Sequence, residues 1–348
     1  MNTTDHTTPP LNNNSTDFDY PGCRRATKRA WRKMEVILFR PFNFEKWLIL
    51  AICVWFVNLF EDYSQSFSYI ANFQTDQFKE IRHSNIMNKI NIIINDPNSF
   101  TQSQIGLSFF TVSMIILFAI IFIVIVVIIL LWLKSRFEFI FLNNLKYNIH
   151  KISTPWSYYK SLGNSCFGWI ICYQIICFII SFIVFIIFLL TMVSISNTVN
   201  PSYQLISILI ICTAVFFLLF TLIYIIIYTF YKYFVITIMY KQEIKVLEAW
   251  RTLIDMIRNT PGLFIKFLLV LLMYKMIATV IVLLIVICTC CILGCVFSVP
   301  IAGKYIYSLI FLPIFVFLRL FGIEFLAQFG KRFDMQVMKD QQSVSSDQ

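Results

Sequence analysis

An ammonium group in the middle of an apolar run is the first feature of this chain that suggests chemistry. Lys275 lies 12 residues beyond Leu263, in an almost wholly apolar stretch that continues to Cys288. At about 1.5 Å per residue, that is roughly 18 Å into a membrane-crossing helix, near the midplane. Inserting a charge there costs about 2.5–3.5 kcal/mol, so the group must face protein, water or a partner. Gln174 and Asn58, in two other apolar runs, are the polar side chains expected to meet it. Two roles fit the pattern: a substrate or ion site, and a lysine paired inside the bundle or snorkelling to an interface. A second set of charges lies where apolar runs end. Arg319 and Glu324 stand near the end of one run, and Lys134, Arg136 and Glu138 at the end of another. If the two ends share a depth, Arg136, Glu138, Arg319 and Glu324 form one charge cluster. Ion pairs near an interface commonly anchor helices, which favours a structural clamp over a ligand site.

Other reactive residues are dispersed or lack partners. Cys288, Cys290, Cys291 and Cys295 are closely grouped, and on a continuing helix Cys288, Cys291 and Cys295 would share a face. A tetrahedral metal site needs deprotonated thiolates in a charge-compensating setting, and none is offered here. Gly294 and Pro300 also interrupt the helix nearby, so these thiols read as small packing groups and no metal site is expected. His6, His83 and His150 have no acidic or cysteine partner at motif spacing. There is no G-x-x-x-x-G-K-[ST] loop, no G-x-S-x-G elbow and no H-E-x-x-H pair. No cofactor is implied, and the expectation is a protein that is not an enzyme.

The elements that hold these residues follow from composition. The 348-residue chain is 59% apolar and 13% charged, against about 25% charged in a soluble domain. No charged residue occurs from Ser161 through Tyr231, a gap that exceeds one crossing and fits two. The expected fold class is all-α, a polytopic membrane bundle of six transmembrane helices. The crossings are read at about 47–62, 105–133, 166–195, 203–231, 263–288 and 305–325. Residues 61–104 form the one sizeable external loop, too small for an independent enzyme domain. Within it Ile86, Ile90 and Ile93 suggest a short surface helix. Residues 1–22 and 336–348 are expected to be disordered tails flanking one domain, 23–335, and the first of them lacks the apolar core of a signal peptide. Lys and Arg set the direction. Eight lie between Arg24 and Lys46, and more follow the second and fourth crossings, whereas the opposite side has only Lys79, Arg82, Lys89 and Lys304. That asymmetry places both termini in the cytoplasm of a cell (inner) membrane protein. The net charge of +10 is then a topology signal and an attraction to anionic lipid headgroups on the cytoplasmic face, not to nucleic acid.

A repeated unit also emerges. Trp250, Leu253, Ile254 and Ile257 make one helical face, with Arg251, Asp255 and Arg258 on the other, and Pro261 ends the helix before a crossing. Trp31, Met34, Ile37 and Leu38 precede Pro41 in the same way, and Trp156 and Tyr159 introduce the third crossing more loosely. The pattern reads as three repeats of surface helix, outward crossing, loop and inward crossing. It is equally what aromatic and basic flanks give to any outward helix.

Arg40-Pro41-Phe42 before a Trp-rich first crossing, with Pro313, Arg319 and Phe325 to Gly330 ("FLAQFG") in the last helix, carries a resemblance. From about Trp31 to Met335 the chain resembles a group of uncharacterised bacterial six-helix membrane proteins. That group is distantly similar to the membrane domain of glycerophosphodiester phosphodiesterases. The catalytic domain of those relatives is absent, so the resemblance implies a fold and no activity. Two functions stay open. One is a non-enzymatic membrane scaffold or accessory subunit, partnered by lipids and by a membrane protein or a second copy. The other is a small-solute or lipid transporter with its site near Lys275.

Overall fold

The computed structural model describes residues 22–58, 102–149, 153–196, 203–289, 296, 299 and 302–335. The terminal tails, the external loop with its expected short helix, the three histidines, and Cys290, Cys291 and Cys295 lie outside the described residues.

Within the described residues the chain is helical and no strand is present. The helices are α1 (Cys23–Phe39), α2 (Phe44–Asn58), α3 (Gln102–Tyr147), α4 (Ser153–Tyr158), α5 (Lys160–Ser196) and α6 (Tyr203–Phe230). A π-helical segment (Tyr231–Val235) continues α6 into α7 (Ile236–Gln242), followed by α8 (Val246–Asn259), α9 (Pro261–Cys288), α10 (Ala302–Ile310) and α11 (Leu312–Leu326). Runs such as Ile125-Val126-Val127-Ile128-Ile129 would favour strands in water. In hydrocarbon a strand leaves its edge unpaired, and only a helix satisfies every N–H and C=O within the segment.

Among the described residues five helices are long and apolar enough to span a membrane: Ser113–Tyr147, Lys160–Ile195, Ile206–Gln242, Pro261–Cys288 and Leu312–Phe329. The first expected crossing, 47–62, is described only as far as Asn58, and the rest of it lies outside the described residues. Its described part buries Leu50, Cys53, Val54 and Val57 against the protein. The helix expected over 305–325 is two helices that meet at Phe311. Pro313 has no N–H to give the Leu309 carbonyl one turn earlier. Trp47 Nε1 of α2 takes that carbonyl instead, at 3.0 Å.

The core sits at one end of the molecule, the end rich in Lys and Arg. Phe137–Leu145 of α3, Tyr231–Tyr240, and Leu318–Leu326 of α11 are buried there almost without interruption. Phenylalanine rings knit it together. Phe267 of α9 stacks on Phe321 with centroids 5.0 Å apart and meets Phe234 at 4.7 Å and Phe325 at 4.8 Å. α1 does not lie apolar side down on a membrane: Ala26, Ala30, Met34, Ile37 and Leu38 are buried against the core, α11 above all, and Trp31 remains 59% exposed. In α8 the buried stripe is Val246, Ala249 and Leu253, rotated from the expected face so that Ile254 stays exposed.

Away from the basic end the helices part. Ile115–Ile125 of α3, Ile175–Leu190 of α5 and Ile208–Ile225 of α6 are largely exposed apolar surface. The most apolar 18-residue stretches of these three helices are 0% buried, and that of α9 is 6% buried. A water-soluble fold could not leave this area uncovered.

Candidate functional site: a buried charge belt at the basic end

Three long elements bring charge to one depth. Lys134 and Glu138 are four residues apart and share a face of α3. Arg319 lies mid-way along α11. Its Nη2 donates to Glu138 Oε2 at 2.9 Å, with each side chain 3% exposed. Its Nη1 donates to the backbone carbonyl of Lys232. The π-helical turn makes that carbonyl available. In α geometry the Ile236 N–H would bond Lys232, but here it bonds Tyr231. The Lys232 ammonium donates to Asn58 Oδ1 of α2 at 2.8 Å. Lys134 donates to the Tyr228 hydroxyl at 2.6 Å.

Arg136 is handled differently. Its guanidinium lies over Trp132 (5.1 Å) and Trp156 (5.5 Å) and donates to the Trp156 carbonyl and to Asn164 Oδ1, each at 3.2 Å. Gly163 makes room, because a Cβ there would come within 2.7 Å of Arg136 Cδ. Glu324 pairs with Lys33 of α1 at 2.5 Å, and Gln328 donates to the Gly22 carbonyl.

Of the four charges expected to cluster, Glu138 and Arg319 pair directly, Glu324 turns to α1, and Arg136 meets neither acid. Asn58 is buried against Lys232, and Gln174 accepts a long 3.5 Å bond from the Tyr224 hydroxyl on exposed surface. Lys275 is exposed, and its Nζ and that of Lys232 each lie 5.9 Å from the Tyr233 ring. Reasoning from sequence missed Lys232, Lys33 and Asn164. The only forward signal was the four-residue spacing of Tyr228 and Lys232, which puts both on one face. The belt joins α2, α3, α11 and the π segment through charge-assisted hydrogen bonds. Among the described residues no group of three or more His, Cys, Asp or Glu is arranged to hold a metal.

No curated protein and no solved structure matches the chain. The pattern of one family, the family of unknown function DUF7544, matches residues 25–336, which takes in α2 to α11 and nearly all of α1. The chain therefore belongs to the family of unknown function DUF7544.

Proposed function

We propose that the protein is a non-enzymatic scaffold or accessory subunit of the cell membrane, with both termini in the cytoplasm. One observation carries the reading: the most apolar stretches of α3, α5 and α6 are 0% buried, while the basic end is a packed core. Such arms are suited to contact lipid and the helices of a partner or a second copy, and the basic end to anionic headgroups. The likeness to the glycerophosphodiester phosphodiesterase membrane domain bears on the fold alone. The second reading, a small-solute or lipid transporter, would use Lys275, Gln174 and Asn58 around one polar cavity; the bonds of Asn58 to Lys232 and of Gln174 to Tyr224 on exposed surface favour the scaffold.

The test is photocrosslinking in native membranes from single positions on the arms, such as Ile123, Phe182 and Leu218. The reading expects protein–protein adducts from one face of at least one arm, with no lipid or solute flux from the purified chain in vesicles. Adducts to lipid alone at every position, together with flux that depends on Lys275, would overturn it.

A further inference from the structure

A cleft of about 500 Å³ opens at the basic end, where the C-termini of α3 and α7 meet the start of α4. Its volume is in the range of small-molecule sites. Lys146 and Lys241 line it from the last turns of two different helices. Neither has a carboxylate within ion-pair distance among the described residues. Lys146 rests over the Tyr147 ring at 4.4 Å and donates to the Tyr147 hydroxyl at 2.8 Å, which directs that phenol's own proton outward.

Asn143 is 7% exposed and also lines the cleft. Its Oδ1 accepts from both the Tyr159 and the Tyr240 hydroxyls, at 3.4 and 3.1 Å. That fixes the amide orientation and leaves its NH2 as the free part. The one carboxylate in the lining, Glu243, is held by the Tyr158 hydroxyl at 2.8 Å. The same contact raises the Tyr158 pKa, so the phenol keeps the proton it donates. Glu243 itself caps α7 in the left-handed region at φ 56°. The lining therefore holds two lysines against one carboxylate. The two helix C-termini oppose an anion, but helix-end effects in an open cleft are weaker than hydrogen bonds from ammonium groups.

We infer that this cleft binds a phosphomonoester, its phosphoryl oxygens bridging Lys146 and Lys241 with the Asn143 amide as a third donor. The group can arrive on a lipid headgroup or on a soluble molecule. The cleft lies away from the exposed apolar stretches, so its occupancy does not depend on what covers them.

The full chain in phosphatidylcholine nanodiscs is titrated with inorganic phosphate by calorimetry. Native mass spectrometry then counts phosphatidic acid retained from mixed phosphatidylcholine–phosphatidic acid vesicles. Saturable binding is expected, weakening with salt. Lys146→Gln/Lys241→Gln raises Kd at least about tenfold, the scale of losing charge-assisted hydrogen bonds. Lys146→Arg/Lys241→Arg retains binding, and Lys28→Gln, a basic residue elsewhere, leaves it unchanged. Binding of both probes identifies the phosphoryl group as sufficient, and binding of phosphatidic acid alone identifies a lipid source; each supports the site. If the double variant elutes as aggregate, Lys241→Gln alone is read, since that side chain makes no internal hydrogen bond among the described residues, and the affinity must still fall. Saturation by neither probe, or an affinity equal in wild type and Gln variants, overturns the inference.

Discussion

Removing Glu138 should be far more damaging than removing Glu138 and Arg319 together. Their charged atoms are 2.9 Å apart and both side chains are 3% exposed. At an effective dielectric of 20, that separation gives an attraction of about 6 kcal/mol. Desolvating two ions cancels much of it, so the intact pair adds little over an apolar pair of equal volume. A single substitution keeps the desolvation cost of the survivor and loses the attraction. Glu138→Leu leaves the Arg319 guanidinium, among the described residues, with the Lys232 carbonyl as its one remaining hydrogen-bond partner. Glu138→Leu and Arg319→Met should each destabilise by about 3–5 kcal/mol. The double variant Glu138→Leu/Arg319→Met should be near neutral, and so fall short of their sum by about 6 kcal/mol or more. Equilibrium unfolding in mixed micelles, followed by tryptophan fluorescence, gives all four corners of the cycle. Additive effects, or single variants that cost under about 1 kcal/mol, would refute a dry, mutually dependent pair.

Three further outcomes are expected from the same unfolding measurement and from insertion assays. Gly322→Ala puts a Cβ 2.9 Å from Tyr233 Cδ1 in the packed core and should cost about 1–3 kcal/mol, whereas Gly262→Ala meets nothing within 4 Å at the start of α9 and should stabilise by about 0.4–1 kcal/mol. Gly163→Ala should cost about 1–3 kcal/mol, because Arg136 is pinned between two tryptophans and cannot swing away from the new methyl group. Lys275→Leu should ease insertion of the α9 segment by about 3 kcal/mol, read by glycosylation mapping in microsomes; no change would mean that the ammonium already reaches a polar phase.

The apolar runs were legible in the sequence because hydrocarbon leaves the backbone no choice but helix. Their lengths were less so. A hydropathy window stops α3 at Lys134 and α6 at Lys232, yet both helices continue, to Tyr147 and through the π segment to Gln242. The ammonium groups that end the window donate to the Tyr228 hydroxyl and to Asn58, and the helices run on past them. The break at Phe311 was written in Pro313, but the Trp47 indole that makes it tolerable comes from another helix. Depth along a helix is a one-dimensional quantity, and it placed Arg136, Glu138, Arg319 and Glu324 at one end. Which acid meets which base depends on rotation about each axis, and there Arg136 turned to Trp132 and Trp156. The amphipathic face of α1 was visible as Met34, Ile37 and Leu38, but periodicity does not say whether lipid or α11 covers it. The donor-rich cleft had no motif at all, since it joins Asn143, Lys146 and Lys241 from two helices far apart in sequence.

The central claim is that the arms are solvated by hydrocarbon while the basic end is protein-packed. Spin labels at Ile123, Phe182, Leu218 and Leu283, all over 50% exposed, and at Ile140 and Ile236, both buried, test it through their accessibility to oxygen and to a water-soluble nickel chelate in reconstituted membranes. High oxygen and low nickel accessibility at the four arm positions, with both low at the two core positions, is the expected result. Nickel accessibility at the arms, or arms as shielded as the core, would contradict it.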